Sequence, residues 1–227
     1  MKLRFAMALL AVLCLALSTT AIAQTLFNDG PTNGQLNALF IDGPNPGPFQ
    51  QSISDGFAAT GSGTANNMTV GLWVPSGETP TALSWWIGTT AFGTDVSSGS
   101  QTGFSNTFVT SNGYGYDVYT STITGMSGNI TAGNTYYLTL GNANDSSGDQ
   151  FVGWDVSPGP ASCFFAVGGV EQGDCGLGSP EGEAFTLNGS SSTTTTTGGT
   201  VPEPSSLLLL GSGVVGLAGF LRRKISL

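Results

Sequence analysis

The chain of 227 residues has no histidine, and its five positive side chains are Lys2, Arg4, Arg222, Arg223 and Lys224. All of them lie at the two ends. From Gln24 to Thr200 there are carboxylates and no cationic side chain. Nucleic acid binding is thereby excluded for the body, because phosphate neutralisation needs Lys or Arg. Side-chain salt bridges are excluded too, so stability must come from burial, backbone ladders, a disulfide or a metal. A Ser-His-Asp hydrolase lacks its base, and a phosphate-binding loop lacks its Lys. Acid–base chemistry is left to carboxylates alone. The chain is therefore expected not to be an enzyme. The alternative that stays open is a carboxylate-dependent glycan hydrolase, with Asp149 and Asp155 flanking a strand beside Trp154. Nothing in the sequence sets their separation.

Long apolar runs are absent except at the two termini. At the start, Lys2 and Arg4 precede an apolar run from Phe5 to Leu17, then Ser18-Thr19-Thr20, then Ala21-Ile22-Ala23. This is the layout of a secretory signal peptide over residues 1–23, with cleavage expected between Ala23 and Gln24. A retained membrane helix would need a longer run.

Cysteine is scarce. Cys14 falls in the signal segment, which leaves Cys163 and Cys175. In an exported chain the default for such a pair is a disulfide. A two-thiolate metal site would lack further Cys or His ligands.

What is present is a body of short β-rich runs divided by Gly, Asn, Asp, Pro and Ser. The expected strands are Leu36–Ile41, Ser52–Ala58, Met68–Val74, Ala82–Ile87, Thr102–Val109, Tyr116–Ile123, Thr135–Leu140, Gln150–Val156, Cys163–Val167 and Ala184–Leu187. Alternation supports them: Met68, Val70, Leu72 and Val74 share a face with Trp73 opposite, and Val152, Trp154 and Val156 share a face with Asp155 opposite. The expected fold is all-β, an antiparallel sandwich or jelly roll over residues 24–188. A polar Ser/Thr/Gly linker follows over 189–200.

Two clusters could carry binding. Trp73, Trp85, Trp86 and Trp154, with Tyr114, Tyr116, Tyr119, Tyr136 and Tyr137, offer rings for stacking on sugars, with Asp155 near to bond hydroxyls. Against this, most such rings are core. In a strand, Trp85 and Trp86 must face opposite ways. The loop Asn142–Asp149 gathers Asn142, Asn144, Asp145 and Asp149 with Gly148, an oxygen-rich set suited to Ca2+. It does not fit the EF-hand pattern, and Asn, Asp and Gly also make plain hairpin turns.

At the C-terminus, Val201-Pro202-Glu203-Pro204 precedes the apolar stretch Ser205–Leu221, and Arg222-Arg223-Lys224 closes it. As a helix, Leu207–Leu221 would span about 22 Å against a hydrocarbon core of about 30 Å, so residues 201–227 form a marginal single transmembrane segment. The basic end would stay inside the cell. Motif, helix and basic end in this order resemble a PEP-CTERM sorting signal, over about the last tenth of the chain. The resemblance implies processing by the membrane protease exosortase, with Pro202, Glu203 and Pro204 as the recognised residues. It also implies a Gram-negative host, passage through the inner membrane, and association with exopolysaccharide or biofilm matrix. The alternative is a simple anchor that is never cut. The body is also similar to β-rich domains found before such tails, through Gly133-Asn134-Thr135-Tyr136-Tyr137-Leu138 and Trp154-Asp155.

The reading is an exported, non-catalytic surface or matrix protein that associates with polysaccharide, or else a structural or adhesive surface protein without a sugar site. Direct charge attraction between this body and an anionic polysaccharide is ruled out, so bridging cations would be needed. Binding to an anionic matrix is thus expected in Ca2+ and lost in excess chelator; binding unchanged by chelator would sink that expectation.

Overall fold

Period-two alternation of apolar residues with Ser and Thr is the rule along the body, and it produces strands with one buried face. The computed structural model describes residues 23–35, 37–42, 50–148, 151–159, 162–176 and 181–190. Its strands are β1 (Ala23–Asn28), β2 (Ala38–Phe40), β3 (Gln51–Ala58), β4 (Gly63–Pro75), β5 (Pro80–Gly88), β6 (Ser97–Thr102), β7 (Ser105–Ser111) and β8 (Tyr116–Thr124). They continue with β9 (Asn129–Ile130), β10 (Thr135–Asp145), β11 (Gly153–Pro158), β12 (Cys163–Val167), β13 (Val170–Asp174), β14 (Glu181–Glu183) and β15 (Phe185–Ser190).

The strands form two antiparallel sheets. One has nine strands and is organised around β4, which pairs with β15 and β11 along one edge and with β8 and β9 along the other. The second has six, in the order β13-β12-β3-β10-β5-β6. The all-β class follows as expected. The inner faces meet in one apolar core, with Met68, Val70, Leu72 and Val74 of β4 against Leu83, Trp85 and Ile87 of β5 and Leu138 and Leu140 of β10. Each such fully buried side chain contributes about 1.5–3 kcal/mol relative to exposure. Phe27, Phe57 and Phe185 cluster at one end, with ring centroids 4.8–5.5 Å apart.

Two departures from the expected strands have local causes. The run Thr102–Val109 is not one strand but the end of β6 and most of β7, in different sheets. Gly103 breaks it with φ +65°, a left-handed conformation that glycine adopts freely, and its N–H bonds Thr81 O at 2.8 Å. The chain crosses between sheets there. The second departure is β1, which begins at the expected cleavage site, where the sequence pattern named no strand. Gln24 pairs with Gly189 and Asn28 with Thr186, so a chain beginning at Gln24 retains nearly the whole strand.

The chain divides into two compact units, Met1–Ser192 and Thr193–Leu227. The second unit, with the linker tail, the sorting residues and the apolar segment expected to cross a membrane, lies outside the described residues, as do residues 1–22. Among the described residues no helix is long and apolar enough to cross a membrane.

Cys163 and Cys175 form a disulfide, with Cα atoms 5.4 Å apart. It ties the start of β12 to the segment just after β13, and Cys175 N bonds Cys163 O at 3.1 Å. A loop of this size predicts that reduction, or Cys175→Ser, lowers unfolding free energy by about 3 kcal/mol. Denaturant melts with and without reductant measure this; equal midpoints would refute it.

Candidate functional site

The strand register sets Trp73 on the outer face of the nine-stranded sheet, because Leu72 and Val74 on either side of it face the core. On the neighbouring strand Gly153 lies opposite Trp73. A Cβ there would come 2.7 Å from the Ala38 Cβ, so no side chain fills that place. The third wall is the β7–β8 hairpin, which carries Tyr114 and Tyr116. Asn112 Oδ1 accepts the N–H groups of Tyr114 and Tyr116 at 3.0 and 3.2 Å, an Asx turn that shapes the tip. Asp117 fastens this hairpin to the β4–β5 turn by accepting Gly77 N–H at 2.8 Å and Ser111 Oγ–H at 2.6 Å. These donors, Gly77 first, hold its carboxyl below the usual range.

The result is an open cleft of about 420 Å³ with Phe40 and Asn37 on its far side. The Trp73 ring lies nearly parallel to Tyr114, 15° between planes with centroids 6.5 Å apart, and Tyr116 is tilted at 6.0 Å. Tyr114 is 73% exposed. Asp155 locks the arrangement from beneath. Its Oδ1 accepts the Trp73 indole N–H at 2.6 Å, and its Oδ2 accepts Asn33 N–H at 2.8 Å and Gly34 N–H at 3.3 Å. Burial pushes the Asp155 carboxyl up, while those donors pull it back. Asp155 is fully buried, so it orients Trp73 and does not itself meet a ligand.

The other residues singled out from sequence fall in different places. Trp154 is fully buried, packed on Phe185, with its indole N–H on Ala184 O at 3.1 Å. Trp85 is a core ring. Neither is open to a ligand. Trp86 faces the other way and lines a groove of about 350 Å³ with Phe92, Thr139 and Glu171 on the six-stranded sheet. Asn142, Asn144 and Asp145 belong to the end of β10. Asn142 donates to Ser84 Oγ at 3.2 Å, and Asp145 Oδ1 accepts Ser147 N–H and Oγ–H in a turn whose Ser146 Oγ also accepts Thr79 N–H, while Asp145 Oδ2 is buried without a donor among the described residues. Asp149 lies outside the described residues.

A third group was not foreseen. Asp29, just after β1, Asp55 in β3 and Glu183 in β14 are at most 3% exposed. Asp55 stands between the other two and contacts both. The signal was available: Asp55 alternates with Ile53 and Phe57, and Glu183 with Phe185 and Leu187, so both carboxylates sit on an apolar face.

Residues 200–224 match the family model of the PEP-CTERM protein-sorting motif. The chain carries a PEP-CTERM sorting signal. The matched span contains Pro202, Glu203 and Pro204 and the basic Arg222, Arg223 and Lys224. It implies an exported surface protein with exosortase as its processing partner. No curated protein matches the chain.

The buried acids have a measurable consequence. Burial raises Asp29 to about 6, and burial with the Asp29 charge raises Asp55 to about 7. Burial, then the charge of Asp55, raises Glu183 as well. The folded chain therefore keeps protons that the unfolded chain releases from about pH 4 upward. Stability must fall as pH rises from about 4 to about 7. In metal-free buffer, the melting temperature is expected to be higher at pH 5 than at pH 8, with a shallower fall in Asp55→Asn. A melting temperature that is flat or rises between pH 5 and 8 would contradict this.

Proposed function

We propose that this exported protein is a non-catalytic surface or matrix module that associates with polysaccharide, and that the Trp73–Tyr114–Tyr116 cleft is its contact. The observation that carries the reading is a solvent-open cleft walled by the exposed ring of Tyr114, which stacks on a Trp73 ring that is 5% exposed and held by a buried carboxylate. Sugar rings present apolar C–H faces that stack on such walls, and an exposed amide such as Asn37 can bond hydroxyls. The described lining of the cleft holds no carboxylate, which supports binding over hydrolysis. The sorting motif adds the setting, since a protein delivered to the cell surface meets the cell's own exopolysaccharide.

The test is binding of the exported chain to exopolysaccharide from its host. Saturable binding is expected, weakened about tenfold by Tyr114→Ala, equal to about 1.4 kcal/mol. Tyr114 is exposed, so the variant should keep its fold. Trp86→Ala in the second groove is expected to bind like the parent. Absence of binding by the folded protein would leave a structural or adhesive surface element. Release of new reducing ends would turn the reading to glycan hydrolysis.

A further inference from the structure

We propose that Asp29, Asp55 and Glu183 form a site for a hard divalent cation of the Ca2+ type, held between the two sheets. The ligands come from both layers. Asp29 follows β1 and Glu183 lies in β14, both of the nine-stranded sheet, while Asp55 lies in β3 of the six-stranded sheet.

Their hydrogen bonding is the decisive observation. Glu183 is fully buried, and the only polar groups of the chain that approach its carboxylate are the Asp55 carboxyl and its own main-chain N–H, which lies outside good hydrogen-bond geometry. Asp29 Oδ2 and Asp55 Oδ1 are equally unserved. Asp55 Oδ2 receives only a long bond from Glu183 N–H, at 3.4 Å. The polar group that faces Glu183 is another carboxylate, Asp55. Buried anions left this way are costly unless something neutralises them. The body has no Lys, Arg or His to do so, which leaves protons or a metal ion.

The surroundings are shaped for the oxygens rather than for a side chain. A Cβ on Gly159 would fall 1.9 Å from Asp29 Oδ1, and one on Gly182 would fall 2.5 Å from Asp29 Oδ2. Bare main chain is pressed against this carboxylate from both sides. The sulfurs of Cys163 and Cys175 lie within 4.8 Å of a Glu183 oxygen. Joined to each other, they are spent as thiolate ligands. An oxygen-only donor set suits Ca2+ and not a thiophilic metal. Cys163 pairs directly with Asp55 across β12 and β3, so the disulfide braces the wall of the site. A bound ion would join the sheets where other proteins use a salt bridge. The site is separate from the Trp73 cleft and stands whether or not that cleft binds sugar.

The full chain, stripped of metal with chelator and dialysed, should gain thermal stability on adding Ca2+ and should bind about one equivalent by calorimetry. Asp55→Asn should lose both responses, yet melt in chelator no lower than the parent, because an unpaired buried charge has gone. Glu183→Gln should behave alike. Asp145→Asn, in the turn at the end of β10, should keep the full Ca2+ response. No stabilisation and no binding heat in the parent at millimolar Ca2+ would overturn the proposal and assign the three carboxyls to shared protons. A response that survives both Asp55→Asn and Glu183→Gln would overturn it as well.

Discussion

A domain without one cationic side chain must settle every carboxylate it buries by other means, and this constraint organises the structure. Three means are visible. Asp155 and Asp117 are met by backbone amides, hydroxyls and an indole. Asp145 folds its own turn. Asp29, Asp55 and Glu183 have each other and few donors. Charge-assisted hydrogen bonds of the first kind are roughly twice as strong as neutral ones. They also point, so they place loops. Asp155 brings the segment around Asn33 and Gly34 over the outer face of the sheet and sets the angle of the Trp73 ring in one step.

The same constraint explains why the hydrophobic core carries so much. With no ion pairs to link sheet to sheet, the layers are joined by burial and by the bonds of loops that cross from one to the other, while the one disulfide fastens the β12–β13 edge of the six-stranded sheet. Phe27, Phe57 and Phe185 cluster together, and each acid lies two residues away from one of them: Asp29 from Phe27, Asp55 from Phe57 and Glu183 from Phe185. An end of the sandwich that combines large rings with buried acids is where a change in protonation or metal content acts on both layers at once.

Much of the fold was legible. Alternation in Met68–Val74 and Thr135–Leu140 marks strands that face a core, and the two cysteines of an exported chain form the expected bond. The sorting tail was readable because its three parts follow a fixed order. Other features were hidden for physical reasons. β1 shares only Ala23 with the expected leader, and its remainder, Gln24–Asn28, is a run too short to stand out beside the cleavage signal. Gly103 splits one β-rich run into two strands of different sheets, and a single glycine in such a run does not announce a crossing. For the aromatic residues, alternation separates Trp85 from Trp86 but does not say which outer ring meets a hairpin. Trp73 becomes the centre of a cleft only because Gly153 leaves a gap beside it and Tyr114 folds over from β8's hairpin. Both are contacts between residues distant in sequence.

Asp155 and Asp55 illustrate how far sequence pattern carries and where coordinates take over. Both are acids within β-strands, and both are wholly buried. By pattern they differ in one respect: Asp55 shares the apolar face of its strand, whereas Asp155 lies opposite the core-facing Trp154. That single parity decides their chemistry. On the outer face, a loop could fold over Asp155 and bring amide donors to it, so its charge is paired within the chain. On the inner face the segment that reaches Asp55 brings a second carboxylate, Asp29, and the only main-chain donor nearby is Glu183 N–H at 3.4 Å. The carboxylate must then be neutralised by something small enough to reach the interior, which means a proton or a metal ion. An inward-facing acid at a core position, in a sequence with no cation to meet it, thus marks a place where a retained proton or a bound ion can be sought in other chains of this composition.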